Sequence, residues 1–197
     1  LPLYRQEKIF ERHGTYLPRS TLCDWVSESG LLLNRIVQVA RLEIKKCERL
    51  HTDDTPVPVL DRTKPGKTHT GRLWVYIGCQ TGEKSIIIYE YTKTRSQEGP
   101  VNFLKNYTGF LQADAYAGYD AVYQTGTVWE VACWAHARRK FYDIVIADPN
   151  SKKAKEAIDT IALLYQIEKE IKHLSNEERR KIRQEKSLPI LKAFKKK

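Results

Sequence analysis

The feature that most constrains the fold is a change of pattern near Leu50, where helical periodicity gives way to extended segments. Residues 72–79 (RLWVYIGC) and 85–91 (SIIIYEY) are rich in β-branched and aromatic residues, which predicts two strands. Thr81 and Gly82 lie between them and predict a tight turn. The two segments are therefore expected to form an antiparallel hairpin.

A further strand is predicted before this hairpin, over residues 51–60. Pro56 and Pro58 fall inside it, and proline cannot donate a backbone hydrogen bond to a neighbouring strand. We therefore expect the strand to end or bulge at the prolines. Three successive antiparallel strands follow from these patterns.

The next part of the chain predicts strands that alternate with helices. Short strands are predicted at residues 110–114 and 128–133, helices at 96–107 and 116–123, and mostly helix from His136 onward. Three antiparallel strands followed by this alternation are the layout of the ribonuclease H-like fold. The predicted class is α/β: a mixed five-stranded sheet with flanking helices, an N-terminal helical segment and a C-terminal helical extension.

The residues before the sheet predict helices. Residues 3–12 have apolar residues at helical spacing, His13 and Gly14 act as a stop signal, and a second helix fits up to about residue 28. This arrangement resembles a helix-turn-helix, which would place Arg19 near DNA, although two ordinary packed helices explain it equally well. A third helix is predicted from Leu31 to about residue 48.

We accordingly expect three segments. Residues 1–49 are helical and resemble a helix-turn-helix unit, residues 50–150 form a ribonuclease H-like core, and residues 151–197 form a basic helical extension or insertion. The net charge is +10, and residues 152–197 contain 14 of the 34 basic residues against 7 of the 24 acidic ones. Such a region binds phosphate backbones or forms a solvated lysine-rich helical face.

The remaining composition excludes several classes of protein. The four cysteines, Cys23, Cys47, Cys79 and Cys133, lie far apart and form no C-x-x-C pair, which argues against a zinc ribbon. No signal peptide or apolar run long enough to cross a bilayer is present, so we expect no membrane partner and a cytoplasmic location. The absence of Met predicts a segment of something longer.

Two aspartates occupy positions that favour a metal site. Asp53 lies inside the first predicted strand, and Asp114 lies where the fourth strand ends. In a ribonuclease H-like sheet these strands are neighbours, so the two carboxylates would face each other. At about 4 Å they would repel by about 4 kcal/mol in an effective dielectric near 20, which a divalent cation would relieve. Mg²⁺ or Mn²⁺ takes such oxygen ligands, and a pair of ions can drive in-line displacement at phosphorus.

The same aspartates also fit a structural role, as an alternative to a metal site. Asp53 or Asp54 could cap a bend made by Pro56, and Asp114 could be the N-cap of a helix that begins at Tyr116.

Six segments, in this order, resemble the transposases of the insertion-sequence-sixty-six family. They are residues 1–7 (LPLYRQE), 51–57 (HTDDTPV), 73–76 (LWVY), 94–96 (TRS), 111–119 (LQADAYAGY) and 133–141 (CWAHARRKF). The resemblance implies a DDE transposase, in which three acidic residues hold two metal ions. The first and second family aspartates fall on Asp53 and Asp114. The chain has Asp54 where the family usually has Glu, and strand alternation allows only one of the two neighbours to face the site.

The resemblance also suggests contacts with DNA. Residues 133–136 (CWAH) match a Cys-x-x-His element found in several DDE families, which places His136 near the active site or the DNA. Arg138, Arg139 and Lys140 follow at the start of a helix and are predicted phosphate contacts. The expected partners are transposon ends and target DNA, with association with the nucleoid and a homo-oligomer in the transposition complex.

The third carboxylate of the family is missing from its expected surroundings. The family's Glu lies in an Asn-Asn segment that does not occur before Lys197, and the glutamates of the late helices (Glu156, Glu168, Glu170, Glu177 and Glu178) look like part of a helical insertion. The chain is therefore expected to be a catalytically incomplete transposase fragment. The alternatives are a non-catalytic DNA-binding remnant or regulator, and a stand-alone nuclease that recruits one of these glutamates.

Overall fold

The computed structural model describes residues 2–61, 63, 66–78 and 85–195. The chain divides into two compact units, Leu1–Val131 and Ala132–Lys197, which are described separately. Cys79 and the turn predicted at Thr81 and Gly82 lie outside the described residues. The division into segments 1–49, 50–150 and 151–197 stays a prediction.

The first unit begins with two helices, α1 (Leu3–Arg12) and α2 (Arg19–Ile44). The glycine turn between them is present, with Gly14 at a φ of 77°. The prediction of a separate third helix is wrong, because α2 continues without a break through Gly30. A glycine inside a helix costs only about 1 kcal/mol relative to alanine, which is too little to end a helix with good residues on both sides.

The five strands are β1 (Arg49–Leu60), β2 (Thr68–Gly78), β3 (Ile86–Thr92), β4 (Gly109–Ala113) and β5 (Val128–Ala132). They form one sheet in the order β3-β2-β1-β4-β5. β1 is antiparallel to β2 and parallel to β4, and β2 is antiparallel to β3. This mixed five-stranded sheet with flanking helices confirms the predicted ribonuclease H-like α/β fold.

The first strand passes through both of its prolines, which corrects the expectation that it would end or bulge there. Pro56 pairs with Arg72 and Pro58 with Thr70 in an unbroken antiparallel register. β4 pairs with β1 only at Arg49 to His51 among the described residues, so the later part of β1 has one edge that β4 does not pair. Prolines are tolerated where their missing N–H would point to such an edge.

Aromatic side chains dominate the core of this unit. Helix α3 (Glu98–Leu104) lies over the sheet and contributes Phe103, whose ring stacks on Tyr76 with centroids 3.6 Å apart. Trp74 and Tyr119 are also fully buried and meet edge to face at 6.1 Å. Fully buried aromatic rings remove large apolar areas from water, so this cluster fixes β2 beneath α3.

A glycine sets the start of β4. Gly109 has a φ of 141°, and a Cβ built on it would lie 2.5 Å from the carbonyl oxygen of Glu48. Only glycine allows so close an approach between β4 and the residue before β1. The approach brings the end of β4, and the residues that follow it, beside β1. Those residues continue into a 3-10 turn (Ala117–Tyr119) and helix α4 (Asp120–Tyr123).

The second unit is helical. It contains α5 (Trp134–Ala147), α6 (Lys152–Glu170), α7 (Asn176–Ile182), a π-helical turn (Arg183–Ser187) and α8 (Leu188–Lys195). The helices are interrupted near Pro149, between α5 and α6, and near Ser175, between α6 and α7. Ser175 and Glu178 form a reciprocal capping box that begins α7. Among the described residues, every helix is too short or too polar to span a bilayer.

Candidate functional site

Three aspartates come together where β1 runs beside the end of β4. Asp53 and Asp54 lie in β1, and Asp114 is the residue after β4. The parallel pairing of His51 with Gln112 brings the two strands together just before these residues. One carboxylate oxygen from each aspartate lies within 4.8 Å of the others. The predicted proximity of the first and fourth strands therefore brings Asp53 and Asp114 together.

The two neighbouring aspartates differ in burial. Asp53 is exposed, whereas the side chain of Asp54 is only 1% exposed and shares the buried side of β1 with Thr52. The expectation that only one of them could face the site does not describe this arrangement, because both reach the acidic group. The reason is local: Oδ1 of Asp53 accepts the backbone N–H of Asp54 at 2.9 Å, so its carboxylate bends back along the strand.

Two arginines neutralise the buried carboxylate. Arg72 donates from Nη1 to Oδ2 of Asp54 at 2.9 Å, and Nη2 of Arg95 lies 2.7 Å from Oδ1. Each oxygen of Asp54 is therefore engaged by a guanidinium, which compensates the cost of burying the charge. Arg72 stands on β2 opposite Pro56, so the β1–β2 register supplies this contact.

Arg95 joins two of the three aspartates. Its Nη2 also donates to Oδ2 of Asp114 at 3.0 Å. Its guanidinium carbon lies 4.0 Å from the centroid of the Tyr116 ring, and the Tyr116 hydroxyl donates to the Arg95 carbonyl oxygen. Burial alone would lower the pKa of Arg95, but the hydrogen bonds and charges of Asp54 and Asp114 raise it overall. Arg95 is therefore a fixed positive charge within the acidic cluster.

Asp114 also stabilises the backbone turn that follows it. Its Oδ1 accepts the N–H of Tyr116 at 3.2 Å, while Oδ2 accepts from Arg95. The helical turn begins at Ala117 with Tyr116 as its N-cap residue, so Asp114 is not that cap. The turn and the ion pair hold the carboxylate in one orientation at the end of β4.

A buried hydrogen bond beside the acidic cluster joins β1 to the turn after β4. The hydroxyls of Thr52 and Tyr119 lie 3.2 Å apart, and both residues are buried. Burial raises the pKa of Tyr119, and the charge of Asp114 acts in the same direction. The Tyr119 hydroxyl is therefore neutral at physiological pH and connects the turn after β4 to β1.

The cluster has the chemistry of a site for a hard divalent cation. All three side chains offer carboxylate oxygens, the ligands that Mg²⁺ and Mn²⁺ take in proteins. Arg95 already places a positive charge against Asp54 and Asp114, so a cation bound between β1 and the residue after β4 would compete with its guanidinium.

Sequence reasoning did not assign roles to Arg72, Arg95 or Tyr116. Arg95 lies 41 residues from Asp54 in the sequence, and only the folded sheet brings the two together. One signal was present: Arg95 belongs to the short segment 94–96 that carried part of the family resemblance.

The predicted DNA contacts lie in the helical unit, on α5. Arg138, Arg139 and Lys140 are exposed, and His136 is half-buried. Arg138 lies over the ring of Tyr142 with its guanidinium carbon 6.0 Å from the centroid. The helix thus presents three neighbouring cationic side chains to solvent, and their role in DNA binding stays a prediction.

Glu168 in the same unit is occupied by an arginine. Its two oxygens accept from Nε and Nη2 of Arg183, both at 2.6 Å. The hydrogen bond from Arg183 is the main reason that the pKa of Glu168 is lowered. Glu178 is used in the capping box, and Glu170 accepts from Gln166. Glu168, Glu170 and Glu178 are therefore held by partners within the helical unit.

The sheet order and the acidic cluster on β1 and after β4 define a ribonuclease H-like protein with a candidate cation site. The family model described as "Transposase IS66 family" matches residues 1–197. The chain belongs to this transposase family.

Similar chains are found in Sinorhizobium fredii (strain NBRC 101917 / NGR234). The uncharacterized protein y4hP is 35% identical over 96% of this chain and 37% of its own length. The uncharacterized proteins y4qI and y4jD are 33% and 32% identical over 97% and 99% of this chain, and over 37% and 40% of their own lengths. The chain thus spans about two-fifths of these relatives. No solved structure matches it.

Proposed function

We propose that this chain carries the metal-binding part of a DNA transposase, in which Asp53 and Asp114 hold a divalent cation for phosphodiester cleavage and strand transfer at transposon ends. The observation that carries the proposal is the approach of the Asp53, Asp54 and Asp114 oxygens to within 4.8 Å of one another. Family membership supports the same reaction class.

Mg²⁺ or Mn²⁺, bound as a pair of ions in the complete site, would activate the attacking hydroxyl and stabilise the leaving oxygen of an in-line displacement. Asp53 and Asp114 would supply oxygen ligands from β1 and from the turn after β4. Asp54 orients Arg72 and Arg95 rather than acting as the principal ligand, because both of its oxygens already accept from guanidinium groups.

Arg95 would have a second use once DNA is bound. Its guanidinium is held by Tyr116 and the two aspartates at the open side of the cluster, with its side chain 35% exposed. A planar guanidinium suits the oxygens of a phosphate, so Arg95 is placed to orient a phosphodiester beside the carboxylates.

The DNA itself would be held through phosphates by α5. Arg138, Arg139 and Lys140 supply exposed positive charge, and His136 lies on the same helix. Contacts of this kind position a duplex without reading its sequence.

We further propose that the late glutamates do not complete the site, since Glu168 is committed to Arg183 and Glu178 to the cap of α7. The chain alone should therefore bind metal but cleave DNA poorly or not at all. The exposed cations of α5 also favour a second candidate, a DNA-binding remnant or regulator without catalysis. A measurement of metal binding distinguishes the transposase fragment from the DNA-binding remnant.

The test is a titration of the chain with Mn²⁺. Calorimetry and electron paramagnetic resonance of the free ion both measure how much Mn²⁺ the chain binds. Asp114→Asn keeps the acceptor for the Tyr116 N–H but removes the charge, and should weaken Mn²⁺ binding by about tenfold or more. Asp120→Asn, six residues away and exposed, is the matched control and should bind normally. Equal binding by both variants would reject the metal site and leave the DNA-binding candidate.

A nicking assay on supercoiled DNA addresses the remaining alternative. Mn²⁺-dependent nicking by this chain that is lost in Glu168→Gln would favour a stand-alone nuclease over a transposase fragment.

A further inference from the structure

Helix α2 has an apolar surface that the first unit leaves in solvent. Leu22 and Ile44, near its two ends, are buried, but every residue from 23 to 39 is exposed. Among these residues are Trp25, Leu32 and Ile36, with exposed fractions of 52%, 79% and 66%. An isolated helical stretch of this length is marginal in water, and one so apolar is normally covered by a partner.

A subset of the exposed residues follows the spacing of a coiled coil, while Leu31, Leu33 and Val37 lie outside this seam. Trp25, Ser29, Leu32, Ile36 and Val39 recur at alternating steps of four and three, which is the 3.5-residue period of a heptad seam. In heptad notation Trp25, Leu32 and Val39 take position d, and Ser29 and Ile36 take position a. In a coiled coil such a seam packs against a second helix, with the a and d side chains as knobs in the holes of the facing helix.

The charges beside the seam select the partner and its direction. Glu28 and Arg35 both take position g, and both are exposed. In an antiparallel pair of identical helices, g residues meet g residues of the partner, so Glu28 of one copy meets Arg35 of the other, twice. In a parallel pair, g residues meet e residues, which are Val26, Leu33 and Ala40. Only the antiparallel pair gives charge complementarity.

The same charges select one register. When Glu28 meets Arg35, Trp25 packs opposite Ile36 and Ser29 opposite Leu32, in four layers that span about 17 Å of helix at 1.5 Å per residue. A shift by one heptad would place Arg35 against Arg35 of the partner, which is repulsive. The register that pairs opposite charges also places Trp25, the largest side chain of the seam, against Ile36.

We propose that two copies of this chain associate through α2 as an antiparallel two-stranded coiled coil, with Trp25–Ile36 layers and reciprocal Glu28–Arg35 ion pairs. The association does not depend on the metal site or on DNA. It gives a two-fold symmetric dimer, the commonest form of homo-oligomer, and would place two acidic clusters in one assembly.

The test is sedimentation equilibrium of the whole chain and of three charge variants. Arg35→Glu sets Glu28 against a glutamate of the partner and should weaken the dimer by about tenfold or more, and Glu28→Arg should do the same. The double variant Glu28→Arg/Arg35→Glu restores both pairs with reversed signs and should dimerise as the unaltered chain does. Arg12→Glu on α1 changes the net charge equally and should leave the dimer intact.

A substitution within the heptad seam distinguishes loss of association from loss of folding. Ile36→Asp should give a monomer with unchanged Mn²⁺ binding, because residue 36 is exposed in the single chain. A monomeric unaltered chain at about 100 µM, where the weak protein complexes of micromolar affinity are already formed, would overturn the proposal in favour of cover by another polypeptide segment. A dimer that Ile36→Asp abolishes but the charge variants do not affect would overturn the antiparallel register.

Discussion

Arg95 and Asp114 form an ion pair, with Nη2 3.0 Å from Oδ2, at the point where β4 ends. The same nitrogen lies 2.7 Å from Asp54, so one guanidinium compensates charge that a divalent cation would otherwise neutralise. A divalent cation at this cluster would therefore compete with the Arg95 side chain.

Arg95→Gln should tighten Mn²⁺ binding. Removal of a positive charge beside the carboxylates lowers the electrostatic cost of a second cation there, and we expect a gain of about tenfold, well below the unscreened Coulomb value. Calorimetric titration at constant ionic strength measures the change. Weaker binding in Arg95→Gln would mean that Arg95 supports the metal site rather than competing with it.

Asp53 and Asp54 should respond differently to replacement by Asn. Asp53→Asn should lose Mn²⁺ binding with little effect on stability, since Asp53 is exposed. Asp54→Asn should lower the free energy of unfolding by about 2 kcal/mol, because it leaves Arg72 and Arg95 without their buried carboxylate. Urea denaturation and Mn²⁺ titration of both variants separate the two effects. Loss of Mn²⁺ binding in Asp54→Asn, with normal binding in Asp53→Asn, would make Asp54 the ligand.

The cations of α5 should contribute to the salt dependence of DNA binding. Each phosphate contact adds about 0.9 to the slope of log K against log salt concentration, so replacing Arg138, Arg139 and Lys140 by Gln should reduce the slope by about 2 to 3. Fluorescence anisotropy with duplex DNA over a salt series gives the slope. Replacing the exposed Lys67, Lys93 and Lys105 of the first unit by Gln removes the same charge, and an equal loss there would show a net-charge effect instead.

Buried tyrosines should make stability fall in alkaline solution, and one of them is Tyr107. Its side chain is 1% exposed, and its hydroxyl donates to the carbonyl oxygens of Glu48 and Phe110. Burial raises the pKa of Tyr107 to about 12. The unfolded chain therefore loses this proton first, and the stabilisation present below about pH 10 is lost between pH 10 and 12.

Tyr107→Phe should flatten that part of the pH profile, whereas Tyr16→Phe, at a residue that is 76% exposed, should not. Chemical denaturation from pH 8 to 12 provides the measurement. An identical alkaline decline in both variants would remove Tyr107 as the cause.

Local patterns in the sequence predicted most of the sheet and the acidic pair. The β-branched runs before and after residue 80 specify strands by composition, and Asp114 ends its strand in the sequence as it does in space. Long-range pairing was not predictable in the same way. The prolines of β1 are tolerated because β4 pairs with only the first residues of that strand, and no local pattern reveals where a partner strand stops.

The contacts of Arg95 were missed for a related reason. An arginine after a strand is usually solvated, and its role appears only when the sheet places it beside Asp54 and Asp114. The sequence pattern predicted one helix up to about residue 28 and another from Leu31, whereas α2 runs through Gly30, a residue whose cost inside a helix is only about 1 kcal/mol relative to alanine.

The most direct test of the metal site is an anomalous difference map from crystals of the chain grown with Mn²⁺. We expect a peak at about 2.1 Å from oxygens of both Asp53 and Asp114, the distance typical of small hard cations. In the same crystals, the Arg95 guanidinium should have moved away from Asp114. A map with no peak at the cluster, or with Mn²⁺ only at other carboxylates, would contradict the proposed metal site.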